Sequence, residues 1–338
     1  MLSLAVDLGG TFLRCGVATP DGAMTAIERT TVPNSLDGKT SPGAVWDLIV
    51  SRIDDYGRRS PLLGADDPIA FAFPGPILNG RTIVAAPTVT GDAPVPDLAA
   101  LLEARTARQV FLLNDVSAAA WHLSERLDVS RFMVVTVSSG IGSKAFDRES
   151  TSGVIDDVAY AGEIGHCKVD ASRDAPMCDC GARGHLGAIA SGRGTLRLAR
   201  RVAQADPDVF SVSRCVTVYG ATATTLDNER HLVPAIKDGD AWAVDVMRRA
   251  MEPLARTLSA SIYAFGLERI VVVGGFALEV GERYIATLRE LMDVEQVGSP
   301  FAMRSEDIVV LGAAYPDATL LGAATYARRF FSGAKVQR

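Results

Sequence analysis

Two glycine-rich tight turns between short apolar runs constrain this chain more than any other feature. The first runs from Leu4 through Asp7, Gly9, Gly10 and Thr11 to Arg14, and the second from Val135 through Ser138, Ser139, Gly140 and Gly142 to Ser143. Small residues at such a turn let backbone N–H groups converge on an anion with no Cβ in the way. A phosphate cradle built twice points to equivalent hairpins in two related lobes that face one polyphosphate. Between the turns, the apolar run Val110–Leu113 ends in Asn114 and Asp115, and a strand end is where an α/β fold places its chemistry.

At 338 residues the chain exceeds a single comfortable core, which leads us to expect two domains. A net charge of −6 with scattered acids offers no basic surface to nucleic acid or anionic lipid. Met1 leads directly into a strand pattern without a charged n-region and apolar h-region, and no apolar run approaches the ~20 residues of a membrane helix. These features predict a soluble, cytoplasmic protein with no membrane partner. Cys15 and Cys215 fall in apolar runs, whereas Cys167, Cys178 and Cys180 crowd into one loop region. In a reducing compartment that crowding favours metal over disulfide.

The periodicity is mixed α/β. Strands are predicted near 3–6, 12–18, 69–73, 110–113, 132–137, 269–273 and 308–311, and helices near 44–57, 97–105, 116–125, 190–204, 241–265 and 317–330. The lobe change is placed at Asp115, because the second glycine hairpin restarts the pattern that precedes it. The expected lobes are therefore residues 1–114 with 317–338, where the last helix closes back, and residues 115–316.

Taken together these motifs resemble the ROK family of sugar kinases and, more distantly, glucokinases and the hexokinase/Hsp70/actin superfamily. The resemblance spans nearly the whole chain. Asp7–Thr11 is similar to the first phosphate motif, Pro74-Gly75-Pro76 to the loop near the sugar, Asn114-Asp115 to the substrate and base pair, and Ser138–Ser143 to the second phosphate motif. Gly162–His166 resembles the Glu-x-Gly-His sugar and zinc motif, Val271–Gly275 the adenosine motif, and Cys178–His185 the zinc loop. Three departures stand out: Ser138-Ser139 replaces a more usual Gly-Thr, His185 replaces a cysteine, and Gly187 stands where the family has a second sugar-binding glutamate. The resemblance implies a two-lobed, actin-like α/β fold with ribonuclease H-like lobes around a cleft.

Phosphoryl transfer asks a protein for positioning, charge neutralisation and a carboxylate to take the proton of the attacking hydroxyl. Asp115 fits that general-base role, because an ordinary aspartate is ionised at pH 7; taken alone it could equally cap a helix starting at Val116. Asp7 could hold a water of Mg²⁺ or simply satisfy turn amides. Gly9, Gly10, Thr11, Ser139, Gly140 and Gly142 would line the phosphates of ATP. Gly274-Gly275 would lie against its adenosine, although Gly-Gly after a strand is also an ordinary turn.

The resemblance assigns Asn114, Asp115, Glu163, His166 and Gly75 to the substrate, and His166, Cys178, Cys180 and His185 to a structural Zn²⁺. Two thiolates and two imidazoles suit a closed tetrahedral site. Cys167 is the reserve thiol, and reduced, unliganded cysteines are the alternative. A zinc bond through one ring nitrogen would leave the other nitrogen of His166 for a substrate hydroxyl. Without the carboxylate at Gly187, the expected substrate is a C7 cyclitol or modified hexose rather than glucose. An ordinary glucokinase is the alternative within the class. A sugar-binding repressor is disfavoured because only six residues precede Asp7, and a polymerising or chaperone ATPase because it needs no sugar pocket. The expected assembly is a homodimer.

Overall fold

The computed structural model describes residues 1–9, 12–36, 38–312 and 317–334. Its strands are β1 (Ser3–Leu8), β2 (Phe12–Ala18), β3 (Met24–Thr31), β4 (Ile69–Phe73), β5 (Ile77–Leu78), β6 (Thr82–Ile83), β7 (Val110–Asn114), β8 (Arg131–Val137), β9 (Ile141–Asp147), β10 (Arg269–Val273) and β11 (Val309–Leu311). The chain divides into two compact units, Met1–Asp128 with Phe146–Ala161 and Pro316–Arg338, and Val129–Ala145 with Gly162–Tyr315.

The first unit is built on a sheet ordered β3-β2-β1-β4-β7. β1 pairs antiparallel with β2, and its other edge runs parallel to β4, which in turn runs parallel to β7. Every residue of β4 is buried, as its apolar Ile-Ala-Phe-Ala-Phe sequence demands of a parallel strand covered on both faces. β3 escapes the strand pattern in the sequence because it is a polar edge strand without a buried residue. The Ala318–Ala334 helix packs Leu320 and Ala324 onto Ala5 and Ala18 of the sheet. At Gly322 it approaches the Asp115–Ser124 helix so closely that a Cβ would overlap the Ala118 carbonyl. That contact holds the Asp115–Ser124 helix in the first unit, so the compact units change at Asp128, later than the sequence boundary at Asp115.

The second unit contains a sheet ordered β11-β10-β8-β9, with β8, β10 and β11 parallel. Its core gathers Val135, Val272 and Leu288 around Val246, Met247, Leu254 and Leu258 of the long Ala241–Phe265 helix. The helix predicted over 190–204 is in fact two, Leu186–Ala190 and Gly192–Ala205. Ser191 is extended between them, and its hydroxyl caps the second by accepting from Gly194 N–H at 3.2 Å. Among the described residues no helix is long and apolar enough to cross a membrane.

Candidate active site

In the first unit, Asp7 lies near the end of β1, directly opposite Arg14 on β2. The turn is closed by Gly9 N–H donating to the Phe12 carbonyl at 2.8 Å; Gly10 and Thr11 lie outside the described residues. Arg14 donates through Nε and Nη2 to one oxygen of Asp7, Oδ2, at 2.9 and 2.7 Å. Its Nη1 reaches Asp317 at 2.6 Å and Nη2 also reaches Thr319 at 2.9 Å. An Asp side chain only 13% exposed needs such charge-assisted compensation. Among the described residues no hydrogen bond reaches its Oδ1.

Asn114 and Asp115 mark the junction of β7 with the Asp115–Ser124 helix. The cap is Asn114, not Asp115: its Oδ1 accepts from Val116 and Ser117 N–H at 2.9 and 3.3 Å, and its Nδ2 donates to the Gly75 carbonyl at 3.0 Å. Asn takes the cap because it sits in the extended conformation that a cap requires, at φ −63° and ψ 148°. One side chain thus ties the Gly75 loop to the helix start and places Asp115 inside the first turn. There the Asp115 carboxylate is half-buried and accepts from Val116 N–H at 2.9 Å. An acid at a helix N-terminus is favoured in its ionised form by the helix dipole. Two residues on, buried Ser117 donates to Asp156 at 2.7 Å.

The second unit carries the other turn. Ser138 N–H donates to the Gly140 carbonyl at 3.0 Å, Gly192 N–H to the Ser138 carbonyl at 2.8 Å, and Arg193 Nε to the Ser139 carbonyl at 2.7 Å. Gly142 is the second residue of β9. Gly274, at φ 97°, comes so near the end of β8 that a Cβ would lie 2.5 Å from the Val137 nitrogen, while a Cβ on Gly275 would stand 3.5 Å from the Ser138 hydroxyl. The glycine pair after β10 is therefore seated on the second turn for a steric reason, beyond an ordinary strand-to-helix turn.

Two more glycines seat the Glu163 loop on β9. A Cβ on Gly162 would overlap the Ser143 carbonyl, and one on Gly165 the Ile141 carbonyl. Ser143 N–H and hydroxyl both donate to the Gly162 carbonyl, at 3.0 and 2.8 Å. Glu163 stands at the start of the short Ile164–His166 turn, its side chain 34% exposed, with the ammonium of buried Lys144 4.0 Å from Oε1.

His166, Cys178, Cys180 and His185 converge, each offering one ligand atom, and these atoms all lie within 4.8 Å of one another. Cys180 Sγ is 3.3 Å from His185 Nδ1 and Cys178 Sγ is 4.0 Å from His166 Nδ1. Tight turns make this possible: Gly181 N–H returns to the Cys178 carbonyl at 2.9 Å, and Gly184 adopts φ 76°. Burial pushes the Cys178 thiol above its ordinary value, against a lowering hydrogen bond from the Cys180 backbone. The donor set and its spacing fit a tetrahedral zinc ion, and Cys167 lies outside the cluster.

The ROK family model matches residues 3–329. The chain belongs to the ROK family. It is 36% identical over 328 residues to a C(7)-cyclitol 7-kinase of Streptomyces hygroscopicus subsp. jinggangensis, covering 94% of this chain and 92% of that one. It is 30% identical over 302 residues to a 2-epi-5-epi-valiolone 7-kinase of an Actinoplanes species, covering 84% and 80% of the two chains. The crystal structure of a ROK hexokinase from Thermus thermophilus superimposes with a TM-score of 0.74 at 26% identity, over 98% of this chain and all of that one. The chain thus has the two-lobed, actin-like fold of ROK sugar kinases.

Within this ROK framework, Gly187 lies against the Glu163 loop, where a Cβ would sit 3.2 Å from the Gly165 carbonyl oxygen and 3.7 Å from Ile141 N. A side chain there would have to displace backbone slightly. Three charged residues near the candidate site escaped sequence reasoning. Arg14 could have been found by counting back across the first hairpin from Asp7. Arg193 and Lys144 are placed by contacts between distant segments and leave no local signal.

Proposed function

We propose that this ROK-family chain is an ATP- and Mg²⁺-dependent kinase that phosphorylates the primary hydroxyl of a C7 cyclitol. The observation that carries this reading is the 36% identity, over 94% of the chain, to a protein named as a C(7)-cyclitol 7-kinase. Gly187 supports it, because the chain offers no carboxylate at a position where the glucose-type motif has one.

Asp115 is the general base: it accepts the proton of the attacking hydroxyl as that oxygen bonds to the γ-phosphorus and the bond to the leaving ADP oxygen breaks. Asn114 orients Asp115 and the Gly75 loop, and Glu163 and His166 receive the remaining hydroxyls. Asp7 would hold the magnesium ion through its water shell. The described glycines of both turns offer N–H groups to the phosphates, with Ser139 adding a hydroxyl, and Gly274-Gly275 accept the adenosine. Magnesium supplies charge neutralisation of the phosphates when bound. Zinc on His166, Cys178, Cys180 and His185 would be structural, fixing the ring of His166 so that its free nitrogen faces substrate. The reading also includes a homodimeric, cytoplasmic protein.

A coupled assay of ADP release across C7 cyclitols, hexoses, amino sugars and inositols tests the proposal. The expected outcome is ATP-dependent turnover with highest kcat/KM on a C7 cyclitol, and a product phosphorylated on the exocyclic carbon. Glucose turned over at an efficiency equal to or above the best cyclitol would replace this reading with an ordinary glucokinase.

A further inference from the structure

Lys144 is the least expected charge in the second unit. It lies on β9, a few residues past the second turn, and its side chain is only 5% exposed. A lysine is rarely so deeply buried without a partner. Its aliphatic stem packs beside a glycine: the Lys144 Cδ lies 3.2 Å from the point where a Cβ on Gly162 would stand, so the bare Cα leaves the stem room that a side chain would crowd. The ammonium stands 4.0 Å from Oε1 of Glu163, the residue that follows Gly162. That separation is an ion pair without a tight hydrogen bond, and Glu163 keeps 34% of its side chain open. The carboxylate is thus held from one side by a buried cation while its exposed part faces outward.

We propose that Lys144 is a positioning residue for substrate selection, acting through Glu163. This rests on the kinase reading above, in which Glu163 accepts hydroxyls of the cyclitol. A buried cation restrains the carboxylate rotamer and balances its charge, so that accepting a substrate hydroxyl costs little reorganisation. In a chain without a carboxylate at Gly187, the pairing would leave Glu163 as the preorganised acceptor for the polyol.

The test is a double-mutant cycle on substrate affinity with Lys144→Met, Glu163→Gln and the pair, reading KM and kcat for the preferred cyclitol and, separately, KM for ATP. Lys144→Met is expected to raise the cyclitol KM by about tenfold, the order of one charge-assisted contact. It should leave the KM for ATP within about twofold and kcat within about threefold. Lys144→Arg, which keeps the charge, should recover most of the loss. In the Glu163→Gln background, Lys144→Met should have little further effect, because coupled residues are not additive. Additive losses, or an unchanged cyclitol KM in folded Lys144→Met, overturn the proposal. A fall in kcat with ATP and cyclitol KM both unmoved also overturns it. Where thermal melting shows that Lys144→Met does not fold, Lys144→Gln, of similar length and polar, carries the same comparisons. A wild-type protein that phosphorylates no polyol sinks the kinase reading itself, whereas active wild type with additive variants sinks only the role of Lys144.

Discussion

The two glycine turns share a topology and differ in their chemistry. In the first unit the hairpin β2-β1 is extended by the parallel strands β4 and β7, and in the second β9-β8 is extended by β10 and β11 in the same order. The first turn follows a carboxylate, Asp7, locked on one oxygen by Arg14. The second turn, Ser138 to Gly142, has no acid at all and is held through its own carbonyls by Gly192 N–H and Arg193. In the proposed function one scaffold therefore serves two electrostatic tasks. A turn with a held carboxylate is suited to a hydrated cation, and a turn without an acid to the anion that the cation accompanies.

The sharpest way to break that comparison is to neutralise the acids of the first unit. Asp115→Asn should lower kcat by about 100-fold or more, the scale of a lost general base, with nucleotide binding retained. Asp7→Asn should lose activity on a similar scale, part of it recovered at high Mg²⁺, while Ser139→Ala in the second turn should cost only several-fold. Equal losses from Asp7→Asn and Ser139→Ala, with no response to Mg²⁺ in a titration of steady-state rate, would erase the assigned division between the turns.

A second contrast lies in the glycines. Gly274→Ala must force a Cβ to 2.5 Å from Val137 N at φ 97°, whereas a Cβ on Gly140 meets nothing within 4 Å. Denaturant unfolding should show Gly274→Ala destabilised by about 2–4 kcal/mol and Gly140→Ala by less than about 1 kcal/mol. Any loss of ATP affinity in Gly140→Ala then reports on the phosphate cradle itself. The metal cluster gives a third test within the second unit. Elemental analysis of untagged protein should find one zinc per chain, and Cys178→Ser should lose it together with order in the surrounding loop. Extensively dialysed, zinc-free protein with full activity would remove zinc from the proposed function.

The smallest expected effect concerns Gly187. Gly187→Glu should shift the ratio of kcat/KM values toward glucose by about tenfold, the value of one regained charge-assisted hydrogen bond. A Cβ at 3.2 Å from the Gly165 carbonyl imposes a small backbone cost. Gly187→Ala carries the same cost without the carboxylate and should leave the ratio unchanged. A ratio that moves equally in both variants would trace selectivity to the backbone and not to the missing acid.

Residue chemistry and local spacing were enough to reveal the paired turns and the Cys-x-Cys loop, whereas the family resemblance was needed to join His166 and His185 to that loop and to read the acid at the end of β7 as a base and not a helix cap. Such features are local or chemically distinctive: a turn needs glycine where it bends, and a zinc ion needs sulfur and imidazole ligands. Tertiary structure decided which of two adjacent residues caps the Asp115–Ser124 helix, because the choice depends on Asn114 also reaching the Gly75 carbonyl. It also decided that β3 is a strand, since an edge strand draws its order from the hydrogen bonds of β2 and not from a buried face of its own. The partner of Glu163 belongs to the same class: Lys144 meets it beside Gly162 through packing that leaves no local signal, whereas Arg14, directly across the first hairpin from Asp7, was within reach of the sequence.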